Sequence, residues 1–241
     1  SGKHFILTHN YAGYPLIRQA KEMGARGDLG EVRLVQVEYA QDWLAEAPAP
    51  DNKQADWRTD PARAGGGAIG DIGTHAFQLA CFVAGQRVTR LAADLSSFVE
   101  GRQVDDNAEV LLRFDGGAKG TLWASQMAVG NENGLRLRIY GSKGGIEWAQ
   151  ENPNQMTFTQ LGNAKQIFTR GQAGSASWCR IPSGHPEGYL EAFATIYAEA
   201  AALIRGEDAP LLPRISDGLD GMWFIRACQE SNASENGWVS R

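Results

Sequence analysis

Between residues 91 and 148 short runs of alternating apolar and polar residues follow one another, separated only by turns and short loops. Strands joined so tightly must pair antiparallel, because a parallel return needs a crossover of a dozen residues or more. Leu91 to Val99 is one such run. Glu109 to Phe114 and Thr121 to Met127 form a hairpin about Asp115 and Gly116, and Leu135 to Tyr140 with Ile146 to Trp148 form another about Gly141 to Gly145. Residues 135–139 read Leu, Arg, Leu, Arg, Ile, so one face packs while the other carries Arg136 and Arg138 into solvent. Residues 155–169 add one or two weaker strands, and the small polar segment Gly171 to Ser177 reads as a mobile loop.

Helical spacing is confined to the flanks. Pro15 suits a first helical position, with Leu16, Ile17, Ala20 and Met23 on one face and Gly24 and Gly27 as stops. Val35, Val37 and Tyr39 then alternate with Gln36 and Glu38 in a strand from Val32 to near Trp43. Residues 44–62 read as a long loop, of the kind that is usually functional. Ala68 to Ala84 is apolar enough for a mostly buried helix stopped by Gly85. Pro186 to Arg205 carries Tyr189, Phe193, Ile196, Tyr197, Ala200, Leu203 and Ile204 at helical spacing, and a last helix follows Ser216 as its N-cap. Phe5 to Thr8 is a short strand. The expected architecture is α+β, one large domain built on a predominantly antiparallel open sheet with helices on one face.

Composition narrows the partners. Hydrophobic residues make up 43% and charged residues 21% of 241 positions, as in ordinary globular proteins. A net charge of -5 without a basic run lacks the footprint of nucleic-acid binding. No apolar stretch approaches the roughly 20 residues of a membrane span. Cys81, Cys179 and Cys228 are scattered and odd in number, which argues against a disulfide framework and a zinc site and suggests a reducing, cytoplasmic setting. The sequon at Asn232 is then a chance match.

Few motifs carry chemistry. Gly65-Gly66-Gly67-Ala68-Ile69-Gly70 matches GxGxxG, but it follows a loop instead of a strand, so it reads as a place where backbone approaches a ligand or another element closely. Asp71 and His75 lie one helical turn apart just beyond it, where a carboxylate can fix an imidazole tautomer and leave the other nitrogen to take a proton. A surface pair is the competing reading; two polar groups on an apolar helix need a reason. Trp57 and Arg58 offer a stacking surface and a cation, or fill a gap in the loop. His185 precedes the long helix and either caps it or faces a ligand, and His9, Asn10 and Tyr11 follow the first strand where polar residues often line a site. His4 sits on an exposed stub, and Cys81 reads as core.

These residues resemble a known family. Thr8 to Tyr11, Ala55 to Pro61, Gly65 to His75, Gly184 to Tyr189, Pro213 to Leu219 and Ser231 to Val239 look like the C-terminal portion of the Gfo/Idh/MocA oxidoreductases. The resemblance implies an NAD(P)-dependent enzyme acting on a sugar, cyclitol or related polyol, with a Rossmann domain for the dinucleotide and an α+β domain for substrate and dimerisation. It assigns Asp71 as the assisting carboxylate and His75 as the base, and places His9, Asn10, Tyr11, Trp57, Arg58 and His185 at the substrate. The sequence departs from the family pattern in having no Rossmann half and no Glu-Lys-Pro segment; Lys3 stands on the wrong side of the break. Residues 1–10 would be the remnant of the last Rossmann strand and residues 11–241 the substrate-binding and dimerisation domain. NAD or NADP would belong to the full-length enzyme, with no tight dinucleotide binding and no activity expected of this chain alone. Two alternatives stay open: a relative in which transient oxidation drives glycoside cleavage, and a non-enzymatic dimeric binding module.

Overall fold

The computed structural model describes every residue except 1, 50 and 236, so that residue 1 of the segment 1–10 and residue 50 of the segment 44–62 lie outside the described residues. After a single 3-10 turn at Asn10–Gly13, helix α1 runs Pro15–Arg26 and ends where Gly27 turns left-handed. Strand β1 is Val32–Ala40. Two short helices follow, α2 at Lys53–Arg58 and α3 at Pro61–Ala64. They replace the unbroken loop expected over 44–62. Its Asn and Asp residues are helix caps: Asn52 accepts from the amides of Gln54 and Ala55, and Asp60 accepts from Ala62 with Pro61 in the first turn. A π turn at Ile69–Gly73 opens into α4, Thr74–Ala84.

The remaining strands are β2 Val88–Ser96, β3 Asn107–Phe114, β4 Lys119–Ser125, β5 Gly134–Gly141, β6 Gly144–Ala149, β7 Gln155–Gln160 and β8 Gln166–Thr169. Helices α5 (Tyr189–Ile204) and α6 (Ile215–Ala233) precede the short β9, Val239–Ser240. Helix α5 begins three residues later than Pro186, beyond Glu187, which is buried against Arg170 at 2.7 Å and so is held outside the helix, with Gly188 as its N-cap. Helix α6 is capped at Arg214, whose amide donates to Asp217 Oδ2 at 2.8 Å, and not at Ser216. Phe5 to Thr8 forms no strand. Only Ile6 bridges, to Arg214, and Phe5 is exposed. Gly171 to Ser177 is anchored at one point, Ser175, which is fully buried and whose hydroxyl accepts from the Gly171 amide, while Gln172 to Gly174, Ala176 and Ser177 are exposed.

The fold is α+β. Among the described residues nine strands form one open sheet in the order β8-β7-β6-β5-β1-β4-β3-β2-β9. Every pairing among the described residues is antiparallel except β1 with β4, whose parallel register sets Val37 beside Leu122 and Tyr39 beside Ala124. Side-chain alternation then sorts the faces. Val35, Val37, Leu112, Leu122, Leu135, Leu137 and Ile139 are buried beneath α1, α4 and α6. Phe77 of α4 stacks on Phe224 of α6 with centroids 4.4 Å apart, joining two of the covering helices. The opposite face carries Gln36, Glu38, Leu111, Trp123, Arg136 and Arg138 and has no helix over it. Arg136 and Arg138 are half-exposed there, and both reach Glu38.

Candidate active site

The 3-10 turn, the end of β1, the π turn and α5 meet around one cavity of about 500 Å³. Gly13 touches α5 so closely that a Cβ there would lie 2.4 Å from the Ala192 carbonyl oxygen. Arg18 of α1, fully buried, forks onto Glu199 of α5 at 2.5 and 3.0 Å. The same face of α5 therefore holds Tyr189 and Phe193 over the cavity.

The glycine run has a structural cause. Gly67 meets the loop before β3, where a Cβ would lie 1.7 Å from the Asp105 carbonyl oxygen. Asp105 takes the amides of Gly67, Ala68 and Ile69 on its two carboxylate oxygens and its carbonyl, at 2.7, 2.8 and 2.7 Å. Burial raises the Asp105 pKa, and the Ile69 and Gly67 amides on its carboxylate oppose the rise. The close approach read from sequence is to another element of the chain. These amides are also the ones a pyrophosphate would need in a dinucleotide fingerprint, so this turn does not fit that group.

Asp71 and His75 both line the cavity, as their spacing suggests, but no hydrogen bond joins them. Asp71 Oδ2 instead accepts from Arg58 Nε at 3.0 Å and from Gln126 Nε2 at 2.8 Å. The expected carboxylate-to-imidazole bond is therefore corrected to an interaction through space, because two better-placed donors hold the carboxylate. His75 packs edge-on against His9 and Tyr11, each with centroids 5.3 Å away, and its Nδ1 is buried with no partner among the described residues. Burial lowers the His75 pKa and Asp71 raises it in part. His9, similarly buried and beside His75, falls to about 3. Its Nδ1 and Asn10 Nδ2 are also buried without partners.

Because His9 is harder to protonate folded than unfolded, its contribution to stability is complete above pH 6.5 and is lost as pH falls from there toward 3. At pH 5 the His9 share amounts to about 2 kcal/mol. Urea unfolding between pH 7.5 and 4.5 should show stability declining over this window, less steeply in His9→Asn; equal slopes would refute the assignment.

The other expected site residues divide. Asn10 and Tyr11 line the cavity, and Arg58 closes one side. Trp57 lies behind Arg58, whose guanidinium carbon is 4.2 Å from the indole centroid, and so supports the arginine without lining the cavity. His185 is exposed on the loop before α5 and neither caps that helix nor reaches the cavity; its carbonyl accepts from Arg170. The structure adds Tyr39, Gln41, Trp43 and Asn133, with Gln126 behind Asp71. Tyr39 continues the core alternation of β1 and gives no separate sign in sequence.

Residues 17–147 match the GFO/IDH/MocA C-terminal domain. The chain belongs to the Gfo/Idh/MocA family. The Bacillus subtilis oxidoreductase YfiI is 33% identical over 99% of the chain. An oxidoreductase structure from Sinorhizobium meliloti shares 51% identity over the whole chain, with a TM-score of 0.89. The structure of an Azotobacter vinelandii inositol dehydrogenase homolog complexed with NADH and myo-inositol shares 35% identity over 98% of the chain, with a TM-score of 0.87. The chain spans 65%, 65% and 64% of these three proteins respectively. Among the described residues no helix is long and apolar enough to cross a membrane.

Proposed function

We propose that residues 11–241 form the substrate domain of an NAD(P)-linked dehydrogenase that oxidises an uncharged sugar, cyclitol or related polyol. The charge balance of the cavity carries this reading. Its formal charges are Arg58 and Asp71, paired at 3.0 Å, while His75 on the lining, and His9 packed against it outside the lining, have lowered pKa values and are neutral at pH 7. The rest of the lining is hydroxyl, amide and aromatic, with Ile72 the one aliphatic side chain among the lining residues. A phosphorylated or carboxylated substrate would enter without a compensating charge. A neutral ligand with several hydroxyls suits this lining, and so does the myo-inositol named in the A. vinelandii complex.

His75 takes the proton of the hydroxyl being oxidised. Its burial keeps it neutral and therefore able to accept. Asp71, anchored through Oδ2, keeps Oδ1 for a neighbouring substrate hydroxyl and stabilises the imidazolium that forms. The nicotinamide supplies hydride acceptance when the dinucleotide is bound; the pyrophosphate site belongs to a part of the enzyme other than the Gly65 to Gly70 turn. Steady-state assay of the full-length enzyme on myo-inositol, neutral aldoses and anhydrosugars, each beside its phosphate ester, tests the substrate class. Turnover of the neutral compounds is expected, and preference for the esters would refute the reading.

The bare sheet face supports a homodimer. Leu34 and Leu111 are about half exposed there, beside Trp123 and a groove of about 520 Å³. Sedimentation should give a dimer for the wild type and a monomer for Leu111→Arg; an unchanged sedimentation coefficient would count against this face.

A further inference from the structure

One wall of the cavity is a hydrogen-bond chain whose direction is set by a group that can only donate. Trp43 Nε1 lies 3.0 Å from Gln41 Oε1. An indole N–H has no lone pair to accept with, so the Gln41 carbonyl faces Trp43 and its amide nitrogen faces away. That nitrogen lies 2.9 Å from Asn133, and the atom it meets must accept, which makes it Oδ1. Asn133 Oδ1 also receives the Tyr39 hydroxyl at 2.7 Å. On its other side Asn133 Nδ2 donates to Gln150 Oε1 at 2.9 Å, and Gln150 Nε2 donates to the Tyr14 hydroxyl at 3.3 Å.

Tyr39 has one proton, and Asn133 holds it. The 2.5 Å contact between the Tyr11 and Tyr39 hydroxyls then has a single solution, in which Tyr11 donates. Burial raises both phenol pKa values, so neither ionises at neutral pH to reverse the chain. Both phenolic protons are thereby used within the protein. Asn133 Nδ2 reaches one lone pair of Tyr11 at 3.4 Å, and each phenol oxygen keeps one more.

We propose that Asn133 is a positioning residue that makes the Tyr11–Tyr39 wall accept without donating, so that a bound polyol must offer a hydroxyl proton there. This rests on the cavity being a polyol site and adds what the site demands at one position. An ether, a carbonyl or a fluorine at that position can only accept and meets an acceptor. The demand originates at Trp43, outside the reacting centre, and reaches the tyrosines through Gln41 and Asn133.

The test uses the full-length enzyme, its best polyol among those assayed above, and the monodeoxy and deoxyfluoro derivatives at each carbon not oxidised. At one hydroxyl, the deoxy and the fluoro compounds should each lose about tenfold in kcat/KM, and to the same extent. Asn133→Leu should reduce the fluoro loss to within about threefold while the deoxy loss persists, because Tyr39 is then free to donate outward and a fluorine, unlike a C–H, can accept. Asn133→Asp keeps both acceptances, from Tyr39 and Gln41, and should retain both losses, whereas damage to folding alone would affect both variants alike. In the wild type, fluoro compounds that match the parent wherever the deoxy compounds fail would overturn the inference, as would identical behaviour of the two variants. Absence of any polyol turnover by the wild type would overturn the reading of the cavity and this inference together.

Discussion

Replacing His75 with alanine lowers kcat by about a thousandfold in the full-length enzyme, the range expected when a positioned general base is removed. The effect should fall on kcat more than on KM, because in the proposed mechanism the imidazole acts in the transition state while the hydroxyl and amide lining would bind the polyol. Asp71→Asn should cost less, about a hundredfold. It also moves the acid limb of the pH profile downward, since the Asp71 charge is what raises the His75 pKa against burial. Steady-state kinetics of the two variants between pH 5 and 9 check both statements. Activity surviving in His75→Ala would remove the base from the mechanism.

The second large effect is on stability and lies some distance from the chemistry. Gly67→Ala places a methyl group 1.7 Å from the Asp105 carbonyl oxygen, and what it meets is backbone, which cannot swing aside. Relief requires separating the π turn from the loop before β3, which breaks the three hydrogen bonds that Asp105 makes to residues 67–69. A loss of about 3 kcal/mol or more is expected, with Tm lower by about 10 °C. Gly65→Ala is a control of another kind: it has open space for a Cβ but a φ of +70°, so it should cost only about 1 kcal/mol of backbone strain. Differential scanning calorimetry separates the two; equal shifts would show that the close approach to Asp105 is not what requires a glycine at 67.

The parts of this fold that were legible from sequence are those with a period. Residues 135–139 and the run Val35, Val37, Tyr39 alternate, so their faces and the antiparallel sheet could be read directly. The parallel pairing of β1 with β4 could not, because alternation is identical whichever way the neighbouring strand runs. Asn52 and Asp60 were legible as polar punctuation, but the same residue types cap helices and make loops, and only the structure separates the two uses. At the site, Asp71 and His75 stand out by spacing on an apolar helix. Gln41, Gln126 and Asn133 lie just beyond strand ends, where a polar residue is unremarked, and their importance comes from what converges on them across the sheet. His185 shows the reverse: its place before α5 drew notice, yet the Glu187–Arg170 pair fixes the chain so that only its backbone is used.

That His75 accepts the substrate proton is tested most directly by the pH dependence of kcat/KM for the wild type and His75→Ala on the same polyol. The wild type should rise to a plateau through an ionisation below 6.5, the side to which burial moves this imidazole. In His75→Ala that limb should vanish, leaving a small rate that climbs with hydroxide concentration. The same limb, at the same pH and in both proteins, would mean that another group takes the proton.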